Sequence, residues 1–213
     1  IIFCCLVSDI AVSEVTAVER GDRVINVTES DGSSRPLDID EINLALVSAS
    51  EGLPNQISKV AQISAQVRLT LFNGITNEQL DEAMIQATLQ NIKDDPDFDK
   101  IAARLLLKTI YRRVLGSPVG VEDLKKLHAV KFPAYLRQGV EDGLLDSRMS
   151  KKVFDIKKLA NALDPSKDDL SKYLGVITNK NRYALRRGSG EPIEVPQFTH
   201  MRIAMGMSLL AKD

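Results

Sequence analysis

The chain has 213 residues and a mass of 23.5 kDa, with 44% hydrophobic and 27% charged residues, a soluble globular composition with room for one large domain or two small ones. Lys and Arg total 28 against 29 Asp and Glu, and the net charge of −1 excludes an obvious nucleic-acid footprint or a polybasic membrane binder. The sum hides an asymmetry: Asp22 to Asp99 holds 14 acidic and 5 basic residues, whereas Lys100 to Asp213 holds 22 basic and 12 acidic.

At the front, Ile1 to Val7 is apolar but too short to span a bilayer, and no basic region precedes it. Cys4 and Cys5 are adjacent, which suits neither a mutual disulfide nor a zinc site, so they are read as incidental. Residues 1–23 carry no clear periodicity and stay unassigned. The absence of an initial Met, and a helical pattern running to the last residues, predict a piece of a longer protein. Val24, Ile25 and Val27, the Ser30-Asp31-Gly32 turn and Arg35-Pro36-Leu37 predict a small β-hairpin.

Four helices are predicted next. Asp38 caps the first, Glu41 completes a capping box, Ile42, Ala45, Leu46 and Ala49 share a face, and Gly52 stops it. Val60, Ile63, Val67 and Leu71 line the second, which ends at Asn73-Gly74. Thr76 and Gln79 form a capping box for the third, which buries Leu80, Ala83, Met84 and Ala87. The fourth, about Phe98 to Leu115, is apolar on most sides, as a central bundle helix is. Gly116-Ser117-Pro118 closes this unit. Beyond it, Val121–Val130 and Pro133–Glu141 read as two helices with Gly143 as a stop. Asp155 caps a short helix, Asp164-Pro165 breaks the chain, and Arg186 to Gly190 forms a turn between extended pieces. Pro196 opens a last helix with Phe198, Met201, Met205 and Leu209 on one face.

A hairpin with an Asp-Gly turn followed by four amphipathic helices resembles the ATP-cone, the nucleotide-sensing module at the front of many ribonucleotide reductase large subunits. The matching stretches are Val27 to Gly32, Leu37 to Ile42, Phe72 to Thr76 and Ile101 to Leu107. The rear part is similar to the segment that links the cone to the catalytic barrel: Phe132 to Leu136, Gly139 to Leu145, Tyr173 to Val176, Asn181-Arg182-Tyr183, Glu194 to Gln197 and Met201 to Gly206. The resemblance implies a mainly α chain: a cone at 24–116, with a hairpin and a four-helix bundle, then a helical segment at 117–213 leading toward an absent α/β barrel.

The resemblance also carries expectations about function. The parent resembles a thiyl-radical oxidoreductase that reduces ribonucleoside diphosphates to deoxyribonucleotides in the cytoplasm. ATP and dATP are its effectors, the large subunit self-associates, and a separate small subunit supplies a metal-based radical. The family's catalytic cysteines lie later in the chain, so no catalytic residue and no metal ligand is expected here, and no nucleic-acid or membrane partner. A cobalamin-dependent reductase, or a stand-alone helical interaction module, are the alternatives.

Binding-competent cones carry a basic pair just before Asp-Gly and a lysine opening the first helix; here those positions hold Glu29, Ser30 and Glu41. Val27, Asp38, Asn77 and Arg112 match family positions that survive. Carboxylates in place of cations repel a triphosphate, so the cone is expected to be a degenerate, inner-copy-like one that keeps the fold and binds neither ATP nor dATP. Arg112-Arg113 late in a helix can equally offset its dipole. His128 and His200 are isolated and read as structural. Met201, Met205 and Met207 read as core filler. The basic stretch either faces nucleotide-binding parts of the parent or docks on the acidic stretch, the simpler arrangement.

Overall fold

In the computed structural model, the protein is described over residues 25–29, 31–116, 121–151, 153–188 and 190–211. The expectations for residues 1–23, Cys4 and Cys5, Val24, Ser30 and Ser117-Pro118 lie outside the described residues. Strand β1 (Asn26–Thr28) pairs antiparallel with β2 (Ser34–Pro36), as the turn residues require. Gly32 sits at φ +83°, a conformation that glycine adopts without the penalty a side chain imposes. A third strand, β3 (Ile75–Thr76), pairs parallel with the other edge of β1, so the hairpin is part of a sheet ordered β2-β1-β3. Two residues are too short for any periodic signal, and only the returning chain shows that they pair.

Helix α1 (Ile39–Ala49) follows β2, and α2 (Gln56–Thr70) packs against it, burying Val60, Ile63 and Val67. Leu71 is already extended beyond the end of α2. Helix α3 (Asn77–Leu89) opens with the expected capping box: Gln79 N–H donates to Thr76 Oγ1 at 3.2 Å and Thr76 N–H to Gln79 Oε1 at 3.0 Å. The capping box expected at α1 does not close. Asp38 caps it by accepting from Asp40 N–H at 2.9 Å, while the Glu41 side chain turns away to Arg35. A bidentate guanidinium partner outcompetes a single backbone N–H for that carboxylate.

Helix α4 (Asp97–Leu115) buries Phe98, Ile101, Ala102, Ala103, Leu105, Leu106, Leu107, Ile110 and Leu115. A helix apolar all round needs neighbours on every side. Here α1 and α3 cover one side, and α7 (Tyr173–Thr178), the turn 165–170 and α5 (Val121–Glu141) cover the other. The two helices expected in the α5 region are one, running through Pro133. A mid-helix proline costs about 3 kcal/mol. Phe132 and Leu136, both at the bottom of the exposure range, bury apolar surface on either side of it and hold the helix continuous.

Asp155 caps α6 (Ile156–Ala162) by accepting from Lys158 N–H at 3.0 Å. Pro196 opens α8 (Pro196–Leu210), which buries Phe198, Thr199, Met205 and Leu209. Met205 is the core filler expected, whereas Met207 stays exposed. His128 is fully buried between the edges of Tyr111 and Phe198, with ring centroids 5.6 and 5.5 Å away. Its Nδ1 lies 2.8 Å from the Leu124 carbonyl, which can only accept, so Nδ1 carries the proton.

Ahead of α8, the carboxylate of Glu194 is fully buried. It accepts from Arg202 Nε at 2.6 Å, Leu185 N–H at 2.9 Å, Thr199 Oγ1 at 3.0 Å and the Tyr135 hydroxyl. A buried charge is tolerated only when paired and hydrogen-bonded throughout.

The front and rear parts meet along α4. Arg104 donates to Asp169 at 2.6 Å and to the carbonyls of Ala49 and Glu51 at 3.0 and 2.7 Å, closing the end of α1 against the rear part. Lys100 also pairs with Asp169, at 3.2 Å, and Arg113 with Glu191, at 3.6 Å. The basic stretch, whose first helix is α4, packs on α1 and α3 of the acidic stretch, and the pairs Lys100–Asp169 and Arg113–Glu191 lie within the basic stretch itself. At this seam α4 supplies the cations and the rear part supplies the acids. Of the ion pairs that the described residues form, Arg112–Asp81 joins the two stretches.

Glu194→Ala leaves Arg202 without its partner in a site where its side chain is 17% exposed. The expected cost is roughly 3–5 kcal/mol, read as a lower urea midpoint; an unchanged midpoint contradicts a stabilising role for the buried Glu194–Arg202 pair. Burial pushes the His128 pKa below its ordinary value, so the native state holds its proton less tightly than the unfolded chain does. That contribution to stability is complete above the unfolded pKa of about 6.5 and is lost as pH falls through the depressed value. Thermal unfolding from pH 7.5 toward more acidic buffer should show this slope in the parent chain and lose it in His128→Gln.

Candidate functional site

The candidate site lies where the sheet meets α1, α3 and α4. Glu29 directly follows β1, and the register sets Arg35 directly opposite Val27. Val27 is fully buried and serves the core. Arg35 reaches along the sheet surface: its Nε donates to Glu29 Oε1 at 2.6 Å. Its Nη1 and Nη2 donate to both oxygens of Glu41, in the first turn of α1, at 3.0 and 2.8 Å. The second oxygen of Glu29 accepts from Asn77 Nδ2, at the start of α3, at 2.6 Å. Arg35 and Asn77 hold the Glu29 carboxyl below the usual range, and Glu41 and Glu29 raise the Arg35 guanidinium further.

Arg112, on α4, is turned to Asp81 on α3. Asp38 is occupied as the α1 cap. Ser30 lies outside the described residues. The structure therefore brings Glu29, Glu41 and Asn77 together around Arg35 and engages Arg112 a short way off. Two adjoining cavities, of about 250 and 460 Å³, share Glu29, Asn77, Asp81 and Arg112 in their walls.

Arg35 and Asp81 are the members that sequence reasoning missed. Arg35 was legible only as part of a β-prone run. One signal was present, since it is the only Lys or Arg between Arg23 and Lys59 in an otherwise acidic stretch. Asp81 gives no such signal, because its partner is 31 residues away. Among the described residues no cluster of three or more His, Cys, Asp or Glu is placed to hold a metal ion. No described helix is long and apolar enough to cross a membrane.

Residues 25–113 match the ATP cone domain family. The chain is 30% identical to the ribonucleoside-diphosphate reductase subunit alpha of Chlamydia muridarum over 90% of its own length and 18% of that protein. With the subunit alpha of Helicobacter pylori strain 26695 it shares 30% identity over 85% of the chain and 22% of the relative. With the reductase 1 subunit alpha of Escherichia coli K12 it shares 27% over 84% and 22%. The chain thus spans about a fifth of the length of these curated relatives.

Arg35→Met removes the cation from between two carboxylates. The Glu29 carboxyl is then expected to titrate closer to the ordinary glutamate range, as read by carbon-detected NMR of the side-chain carboxyls. A Glu29 titration that does not move contradicts the clamp.

Proposed function

We propose, for a chain that belongs with the ribonucleoside-diphosphate reductase alpha subunits and carries an ATP cone domain at residues 25–113, that it is the regulatory and structural front end of such a subunit and that its own cone takes neither ATP nor dATP. In this reading residues 24–116 form the cone and 117–213 the helical segment that leads toward the catalytic part. The whole protein is an oxidoreductase that makes deoxyribonucleotides in the cytoplasm. It works with a radical-generating small subunit and copies of itself, and answers to ATP and dATP elsewhere. No residue of this chain is assigned a catalytic role.

One observation carries the reading of the cone: Arg35 is bracketed by Glu29 and Glu41 at 2.6 to 3.0 Å. A triphosphate needs N–H donors and cations whose charge is not already met. Here the guanidinium spends its donors on two carboxylates, Asn77 spends one of its amide hydrogens on Glu29, and Arg112 is held by Asp81. Entry of phosphate would have to break these pairs and bring its oxygens against Glu29 and Glu41. The cone keeps its helices and sheet because the core beneath them is made by other residues, among them Val27, Ile42, Leu46, Ile75 and Ile101.

Isothermal titration calorimetry of dATP into the chain should give no binding heat in the micromolar range. Micromolar binding that is lost on Arg112→Ala overturns the proposal.

A further inference from the structure

The larger cavity extends from the sheet to the seam between front and rear parts, where Arg112 and Arg113 of α4 share its wall with Lys180 and Pro192 of the rear part. Lys180 lies on a five-residue π-helical turn, Asn179–Tyr183, an uncommon backbone form that occurs frequently at functional sites. The turn is pinned from behind. Arg186 Nη2 donates to the Lys180 carbonyl at 2.8 Å and Nη1 to the Gly190 carbonyl at 2.5 Å.

The cations of this wall differ in how they are met. Arg112 is engaged by Asp81, and Arg113 is loosely paired with Glu191 at 3.6 Å. The half-buried Lys180 ammonium has neither a hydrogen bond nor an ion pair among the described residues. Burial, with Arg113 and Arg186 nearby, pushes its pKa below the ordinary value, and the charge of Glu82 opposes this only in part. A partly desolvated ammonium facing two guanidinium groups is an arrangement that an anion relieves.

We propose that the seam end of this cavity, formed by Lys180 and Arg113 over the apolar side chains of Leu106, Ile110 and Pro192, is a binding site for a small phosphate-class anion. Glu29, Glu78, Asp81 and Glu82 also line the cavity, and the charge of Glu82 reaches Lys180, so a ligand large enough to fill the cavity meets carboxylates. A compact anion held on Lys180 and Arg113 meets fewer of them. The site is separate from the closed hairpin end and does not depend on the reading of Arg35.

Inorganic pyrophosphate is the probe, titrated calorimetrically into the chain. Binding is expected, weakened about tenfold or more in Lys180→Gln by loss of one charge-assisted contact, less in Arg113→Gln, and unchanged in Lys126→Gln, an exposed cation outside the cavity. Without anion, Lys180→Gln should unfold at the same temperature as the parent or higher, because an unmet cation has been removed. Failure of the parent chain to bind overturns the proposal, as does equal affinity in Lys180→Gln. Binding lost in Asn77→Ala but kept in Lys180→Gln also overturns it, by placing the anion at the hairpin end. dATP binding that survives Lys180→Gln and is lost in Arg112→Ala overturns the closed-cone reading and leaves this one standing.

Discussion

The structure depends on α4 being apolar around most of its circumference. A surface helix satisfies itself by burying one stripe, but α4 cannot. Its burial recruits α1 and α3 from the front part and α5, α7 and the 165–170 turn from the rear, so two stretches of opposite charge share one core. Apolar contact supplies the bulk of the attraction, at about 25 cal/mol per Å² of apolar surface removed from water. The polar contacts around α4 then set position. Arg104 ties Asp169 to the carbonyl end of α1, and Tyr111 donates to the buried Asp168 at 2.6 Å. Burial pushes the Asp168 carboxyl above the ordinary range, while the hydrogen bonds from Tyr111 and Gln197 oppose that shift.

The same architecture separates fold from ligand chemistry. The core residues of the bundle point inward, whereas Arg35, Glu29, Glu41 and Asn77 bond to one another where the sheet meets the first turns of α1 and α3. The outer set can therefore change sign without loss of the bundle. Glu29 and Glu41 acquire a cation of their own in Arg35, so the site is internally neutralised instead of being left as an unpaired acidic patch. Internal pairing fixes the hairpin against α1 and α3 through side-chain bonds.

Much of the bundle was legible in the sequence. Thr76 and Gln79 marked the start of α3, Asp155 the start of α6 and Pro196 the start of α8, because capping and N-terminal proline are local chemistry. The same rules misled at two places. Asp38 and Glu41 have capping-box spacing, yet Arg35 claims the glutamate. Pro133 has the form of a helix break, yet Phe132 and Leu136 are buried on either side of it. In both, a contact with residues elsewhere in the fold outweighed a local preference. The site was partly legible: the carboxylates at 29 and 41 stood out, but their partner did not.

By itself the sequence determined the helical class, the order of elements, the apolar nature of α4 and the sign of the charges near the hairpin. Each of these is a property of residue type and spacing along the chain. Only the tertiary structure decided that β3 joins the sheet, that Arg35 sits between Glu29 and Glu41, and that Lys180 lines a cavity together with Arg112 and Arg113. Pairing is set by distance in space, and the residues involved lie up to 65 positions apart, as Arg104 and Asp169 do, where spacing along the chain carries no information about contact.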